Sequence, residues 1–249
     1  MKLCRYDDNR LGVVQGADVL DVTAALAEIP GQRWPLAQGD PLLLHIGPVM
    51  KAVDALLRGA LRRPVAAVRL LSPVANPSKI IGAPINYDDH IEESKRDPGI
   101  AQGRTNITHI GDWGLFLKAN GSLIGAGEEI RLRFPDRHND HEVELAVVIG
   151  RQGNRVELAR ALDHVWGYAI GLDMTVRGRE LQCFRKSIDT YSVLGPWMVS
   201  KDRLLTLLVS VLMICMRSVS VCRNFLRQCR WSAPLVECAF RQNGSGRAP

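Results

Sequence analysis

Short runs of alternating apolar and polar residues mark the first 70 positions of the chain. Leu11 to Val14 and Val19 to Val22 have the pattern of strands, and Val49 to Arg62 repeats its apolar residues at helical spacing. Residues 1–71 are therefore predicted to form a small N-terminal α+β domain. The next segment, Ser72 to Ser78, contains two prolines and little apolar periodicity, which predicts a linker.

Beyond this linker the pattern becomes mainly that of strands, separated by Gly, Pro, Asp and Asn at hairpin-like spacing. Four strands are predicted, around Leu115 to Lys118, Glu129 to Arg133, Glu142 to Ile149 and Val165 to Leu172. Residues 79–200 are thus predicted to form a second, mainly β domain, and the fold class is α+β, mainly β. The polar stretch Tyr87 to Trp113 is long for a connection within a compact domain, so it is expected to be a lid or disordered.

Composition fits a soluble globular protein, with 46% hydrophobic and 23% charged residues in a chain of 249. The net charge of +6 does not make this a generally basic protein, because the excess of basic residues lies in one segment. Residues 1–200 contain 24 Lys/Arg and 24 Asp/Glu, whereas residues 201–249 contain 8 and 2. A nucleic-acid partner is not expected, because the neutral part shows no basic patch interleaved with aromatic residues.

Neither a disulfide framework nor a membrane segment is predicted. Four of the six cysteines lie in the last 49 residues at spacings that fit no CxxC metal site. The first residues lack the apolar stretch of a signal peptide, so a cytoplasmic location is expected. The longest apolar run, Leu204 to Met216, has 13 residues, whereas a membrane helix needs ~20.

Two glutamates open an otherwise apolar predicted strand. Because side chains alternate between the two faces of a strand, Glu142 and Glu144 share one face with Ala146 and Val148. Carboxylates at this spacing lie ~7 Å apart, and on a half-buried strand they repel each other unless a cation lies between them. The alternative is that this end of the strand faces solvent.

Asp173 follows the next predicted strand and is a candidate third carboxylate. It could instead cap the following turn. Three carboxylates with room for water are the ligands that Mg²⁺ or Mn²⁺ prefers.

Further candidates lie on both sides of these strands. His90 and Glu93 would share one face if their segment is helical, and a carboxylate beside an imidazole can orient it as a general base. A lone surface histidine near a glutamate is the commoner case. Lys186 and Arg177 could bind an anionic substrate, although a solvated basic loop is the alternative.

Five segments, in this order, make the chain resemble the catalytic domain of the fumarylacetoacetate hydrolase family, in particular its dienedioate isomerase and ketopentenoate hydratase-like subgroup. The resemblance runs from about residue 79 to 200, after a family-like small N-terminal domain. The segments are Lys79 to Glu93, Leu115 to Gly127, His141 to Arg151, Gly167 to Arg177 and Lys186 to Trp197.

The resemblance implies a β-rich roll, assembled as a homodimer, with Glu142, Glu144 and Asp173 as ligands of Mg²⁺ or Mn²⁺. It implies that His90 is the base, assisted by Glu93. It also implies that Tyr87, Arg177 and Lys186 contact the substrate, Lys186 as part of the catalytic set.

The implied substrate is a 2-oxo acid or a 1,3-dicarbonyl compound that reacts through a metal-stabilised enolate. Hydrolysis or isomerisation in aromatic-compound breakdown is favoured. Decarboxylation, hydration and tautomerisation remain possible alternatives within the same family.

The sequence departs from the family pattern at a few positions and in its tail. Ala119 stands where a proline usually follows the FLK triplet, and Glu180 stands where some members have glutamine. From Asp202 to Pro249 the glycine-, threonine- and proline-rich segment expected of the family is missing, so the C-terminus is expected to be aberrant or truncated. A shift of reading frame near residue 201 is one hypothesis. An inactive metal-binding fragment, or an interaction protein with a basic tail, is therefore the alternative to an enzyme.

Overall fold

Strands make up most of the regular structure in the computed structural model, which describes residues 1–84 and 114–203. The strands are β1 (Lys2–Tyr6), β2 (Arg10–Gln15), β3 (Asp18–Asp21), β4 (Arg62–Pro64), β5 (Leu70–Leu71), β6 (Ile80–Gly82), β7 (Phe116–Lys118), β8 (Leu123–Gly125), β9 (Asn139–Ile149), β10 (Val165–Val176) and β11 (Ser192–Ser200). The α-helices are α1 (Pro41–Leu44), α2 (Ile46–Leu56) and α3 (Gln182–Lys186). Short 3-10 helices cover Thr23–Glu28, Leu57–Gly59, Val65–Ala67, Asn120–Ser122, Leu158–His164 and Lys201–Arg203. This content confirms the predicted class, α+β and mainly β.

Within the described residues, nine of the strands form one sheet. Its main path runs β4-β3-β2-β1-β11-β10-β9, while β5 pairs with β1 and β8 pairs with β11. Strands β6 and β7 form a separate two-stranded sheet. The antiparallel pairing of β1 with β11 places Leu3 opposite Met198, so hydrogen bonds join the two predicted domains across the predicted linker. The division at residues 72–78 itself stays a prediction.

The predicted linker is anchored by the side chain of Asp40. Its carboxylate accepts a hydrogen bond from the Leu42 amide at the start of α1 and others from the amides of Ala75 and Asn76, at 2.5 and 3.0 Å for the last two. Ser72 and Val74 are buried. The segment between the two predicted domains therefore packs against the N-terminal part of the chain.

The N-terminal region confirms the predicted strands and shortens the predicted helix. Helix α2 ends at Leu56, followed by one 3-10 turn, because the chain from Arg62 pairs with Leu20 as strand β4. Val49 and Val53 on α2 are fully buried. They belong to an apolar core with residues of β1, β2 and β3, which include Leu3, Val13 and Leu20.

Two sequence-based predictions about the second part of the chain were wrong. The segment Glu129 to Arg133 forms no strand: the amide of Arg131 donates to the Thr190 hydroxyl at 2.9 Å, and Leu132 is about half exposed. Only Ile130 of its apolar residues packs against a buried cluster, formed by Met174, Val176 and Tyr191, so the segment contacts a core without pairing as a strand. Strand β10 continues four residues beyond Leu172, because the buried Met174 and Val176 pair with β9.

Two expectations drawn from composition can be examined in the described residues. Cys4 and Cys183 are both free, and burial raises the pKa of the Cys4 thiol to about 12. Among the described ranges, no helix has the length and apolar character needed to cross a membrane. The run from Leu204 to Met216 lies outside them.

Candidate functional site

The register between β9 and β10 brings the three predicted carboxylates onto one face of the sheet. Glu142 lies directly opposite Asp173, and Glu144 lies opposite Gly171. Directly opposed residues on antiparallel strands have their side chains on the same face. Because Asp173 lies inside β10, it does not cap a turn, and that alternative is wrong.

Lys186 connects two of the three carboxylates. Its Nζ donates to Glu142 Oε2 at 2.6 Å, to Asp173 Oδ2 at 2.7 Å and to Thr175 Oγ1 at 2.6 Å. The last turn of α3 carries this lysine, whose side chain is only 8% exposed. The alternative of a solvated basic loop is therefore wrong for Lys186.

Lys118, at the end of β7, binds the remaining oxygen of Asp173. Its Nζ donates to Asp173 Oδ1 and, at 2.9 Å, to the backbone carbonyl of Tyr191. Burial lowers the pKa of Lys118, and the attraction of Asp173 opposes this shift. Sequence reasoning assigned no role to this residue. The signal was there, because a lysine at the end of an apolar strand needs a carboxylate partner when it is buried.

Arg177 and Asp140 complete the charged network around Glu142. Arg177 pairs through Nε with Asp140, and its terminal nitrogen lies 3.1 Å from Glu142 Oε1. His138 Nε2 lies 2.8 Å from the other oxygen of Asp140. Both oxygens of Glu142 thus have a cationic neighbour, and the predicted substrate contact of Arg177 would have to form from this position.

Glu144 is the carboxylate left without such a partner. Among the described residues its side chain makes no hydrogen bond and no ion pair. Burial raises the pKa of Glu144 to about 7, with further contributions from Glu142 and Asp173 and a smaller opposing one from Lys186. A half-buried carboxylate beside other carboxylates favours either a proton or a nearby cation.

The donor atoms fit a hard divalent cation, but the lysines determine where the donors now lie. Within residues 1–84 and 114–203, no group of three or more His, Cys, Asp or Glu is arranged to hold a metal ion. Lys186 binds one oxygen each of Glu142 and Asp173. Glu144 on the same face supplies the third carboxylate, so the ligand chemistry is present.

Other predicted site residues are either outside this network or outside the described structure. Tyr87, His90 and Glu93 fall outside the described residues, and their roles stay predictions. Glu180, flagged for its departure from the family pattern, pairs with Arg137 through both carboxylate oxygens at 2.9 Å.

Fold and site together define a mainly β protein with an acidic, lysine-neutralised site on one face of its sheet. The family model described as fumarylacetoacetate (FAA) hydrolase C-terminal matches residues 79–221, more than half of the chain. The chain belongs to the fumarylacetoacetate hydrolase family. The match extends to residue 221, beyond residue 200, where the motifs predicted that the resemblance ends.

The similar proteins include proteins named as enzymes. The chain is 53% identical over 205 residues to maleylpyruvate hydrolase of Aquipseudomonas alcaligenes, which covers 82% of this chain and 71% of the relative. A crystal structure of maleylpyruvate hydrolase from Sphingobium sp. SYK-6, in complex with manganese(II) ion and pyruvate, matches with a TM-score of 0.64 and 37% identity. That match covers 81% of this chain and 68% of the other.

A mitochondrial oxaloacetate tautomerase of Xenopus laevis is 33% identical over 141 residues. These residues are 54% of this chain and 41% of the tautomerase. The comparisons identify the chain as an enzyme of the hydrolase and isomerase class in this family, and they favour this over an interaction protein.

Proposed function

We propose that this enzyme is a divalent-metal-dependent hydrolase that cleaves a carbon-carbon bond of an acylpyruvate, such as maleylpyruvate, in the breakdown of aromatic compounds. The observation that carries the proposal is the placement of Glu142 opposite Asp173, with Glu144, which has no partner among the described residues, on the same face. Similarity to two maleylpyruvate hydrolases, one of them bound to manganese and pyruvate, supports the choice of substrate.

Glu142, Glu144 and Asp173 would hold the cation, either Mg²⁺ or Mn²⁺, because both prefer carboxylate oxygens. When bound, such a cation supplies Lewis-acid polarisation of the oxo acid's oxygens. Lys118 would hold Asp173 in place through one of its oxygens.

The cationic side chains around the carboxylates would bind the substrate's own carboxylate. Lys186 and Arg177 both contact Glu142, so either lies next to a ligand bound at this face. We propose that Lys186 contributes to catalysis in this way, and that Tyr87 adds a contact from outside the described residues.

Hydrolysis requires a base, which we propose is His90 with Glu93 as the carboxylate that orients it. His90 would take a proton from water as the oxygen adds to the acyl carbonyl carbon. The bond from that carbon to the pyruvate methylene carbon then breaks, and its electron pair is protonated to give pyruvate. The acyl part leaves as a carboxylic acid, which is maleate when the substrate is maleylpyruvate.

Tautomerisation is the second candidate, because one relative is an oxaloacetate tautomerase. That reaction moves a proton between carbon and oxygen of a 2-oxo acid and needs no attack by water. The higher identity to maleylpyruvate hydrolase, 53% against 33%, favours hydrolysis.

The test uses the full chain, stripped of metal with EDTA and then supplied with Mn²⁺. With maleylpyruvate we expect equal amounts of pyruvate and maleate, measured by a lactate dehydrogenase coupled assay and by chromatography. Glu144→Gln is the matched variant and should give neither product. A folded, manganese-loaded chain that converts the enol of oxaloacetate but releases no pyruvate from maleylpyruvate would replace hydrolysis by tautomerisation.

A further inference from the structure

Two lysines contact the two oxygens of Asp173, but they are held in different ways. Lys186 binds Oδ2, and Lys118 binds Oδ1. If the three carboxylates take up a divalent cation, at least one of the two lysines must give up a contact with them.

We propose that Lys186 is an internal counter-ion that a divalent cation displaces, and that Lys118 is a positioning residue that holds Asp173 during the exchange. This inference rests on the proposed metal-binding function. It adds an order of events to that function: the ammonium group leaves as the cation enters.

Among residues 1–84 and 114–203, the hydrogen bonds of the Lys186 ammonium group all go to side chains. The three donors of an ammonium group match its three acceptors, on Glu142, Asp173 and Thr175. Two of these are the predicted ligands themselves, so the ammonium uses oxygens that the cation needs. A divalent cation and the Lys186 ammonium group at the same position would also repel each other. The flexible four-carbon stem of a lysine lets the group leave without movement of the backbone.

Lys118 has a different second partner. It donates to the backbone carbonyl of Tyr191, next to the first residue of β11. The fully buried Tyr191 is fixed by its hydroxyl, which donates to Asn139 Oδ1 at 2.5 Å. The Lys118 side chain is only 4% exposed. The Tyr191 carbonyl also accepts a hydrogen bond from the amide of Met174 on β10 at 3.1 Å, so backbone pairing holds it in place. Lys118 therefore keeps its contact with Oδ1 and leaves Oδ2 of Asp173 to the incoming ion.

The two roles predict opposite effects on metal affinity. Lys186→Met and Lys186→Gln remove a competing charge, and each should bind Mn²⁺ about tenfold more tightly or better. Lys118→Met removes the group that orients Asp173, and it should bind Mn²⁺ roughly 10- to 100-fold more weakly, as for other partners that orient metal ligands. Lys118→Arg should restore part of that loss.

Calorimetric titration of the metal-free full chain with Mn²⁺ measures these affinities, and manganese EPR counts the bound ions. The expected order is Lys186 variants, wild type, Lys118→Met, from tightest to weakest. Thermal unfolding in EDTA identifies folded variants, and Lys186→Gln, which retains hydrogen-bonding groups, stands in if Lys186→Met does not fold. Unchanged or weaker binding in the folded Lys186 variants would overturn the exchange.

The wild type separates this inference from the function on which it rests. If the wild-type chain binds no Mn²⁺, the proposed metal site fails. If the wild type binds Mn²⁺ but Lys186 and Lys118 variants weaken binding equally, the metal site stands and the exchange is wrong.

Discussion

One face of strands β9 and β10 has an apolar end and an acidic end, and the two ends contribute to stability in opposite directions. At one end Val148 and Ala169 are buried in the apolar core with residues of β1 and α2. At the other end Glu142 and Asp173 are opposed across the same two strands. The apolar end gains free energy from burial, whereas the acidic end loses hydration and depends on Lys118 and Lys186 for compensation.

This difference shows how the sheet holds several charged side chains close together. Backbone pairing along β9 and β10 continues from the core into the acidic end, so the positions of the carboxylates are fixed by pairing that the core stabilises. The two ends should therefore respond separately to substitution. Changes at the apolar end should alter stability alone, and changes at the acidic end should alter metal binding as well.

The largest effect is expected for Asp173→Asn. It leaves the buried ammonium groups of Lys118 and Lys186 without the charge that both contact, and breaking a buried pair from one side costs about 3 to 5 kcal/mol. We expect that loss in the free energy of unfolding of the metal-free chain, measured by urea denaturation, together with loss of Mn²⁺ binding. Asp163→Asn is the control, because Asp163 pairs with Arg160 at the exposed surface. Equal costs for both substitutions would contradict the account of the acidic end.

At the apolar end, Met198→Ala should lower the free energy of unfolding by about 2 to 5 kcal/mol, the range for truncating a large side chain in a core. Met198 is fully buried in the core cluster and lies opposite Leu3. Its removal should not change the affinity of the folded chain for Mn²⁺, measured by titration calorimetry at a temperature where the variant is folded. A parallel loss of metal affinity would show that the two ends are coupled.

Much of this comparison could be predicted from the sequence. Because side chains alternate along a strand, the sequence alone predicts that Glu142 and Glu144 share one face. The class of the fold follows from the predominance of strand patterns. The register that sets Glu142 against Asp173 could not be derived in the same way, because it depends on β10 continuing through Met174 and Val176. Polar neighbours in the sequence suggested that the strand ends earlier.

The contacts of the lysines could not be predicted either. Lys118 precedes Asp173 by 55 positions, and its second acceptor is the backbone carbonyl of Tyr191. Which lysine meets which oxygen depends on how α3 and β7 pack against β10. No local pattern encodes that packing.

The pH dependence of the stability of the metal-free chain should distinguish the acidic end from the apolar end. The pKa of Glu144 is raised from 4.5 to about 7 by burial, so the folded state binds more protons than the unfolded state between these values. Its contribution therefore lowers stability as the pH rises through this window, by roughly 3 kcal/mol. Glu144→Gln lacks this contribution and should be the more stable protein above pH 7.

Urea denaturation in EDTA between pH 4 and 8 measures this difference. Wild type and Glu144→Gln should have similar stability near pH 4 and diverge toward pH 8. Subtracting the two curves removes the other titrating groups. A constant difference across the range would mean that Glu144 keeps an ordinary pKa.

The smallest effect is expected on the opposite face of β9. Val147 and Ile149 are 50% and 55% exposed, and substitution of exposed residues changes stability by no more than about 0.5 kcal/mol. Val147→Thr should therefore leave urea unfolding nearly unchanged. If it instead lowers stability and shifts the elution volume in size-exclusion chromatography, this face is covered in solution, as the predicted homodimer would allow.

The central claim is that Glu142, Glu144 and Asp173 together bind one divalent cation, and manganese EPR with titration calorimetry tests it most directly. Wild type should bind one Mn²⁺ per chain, and Glu144→Gln, which breaks no ion pair with Lys186 or Lys118, should weaken that binding by more than the ~10- to 100-fold loss caused by partners that only orient ligands. Equal Mn²⁺ affinity in wild type and Glu144→Gln would contradict the claim.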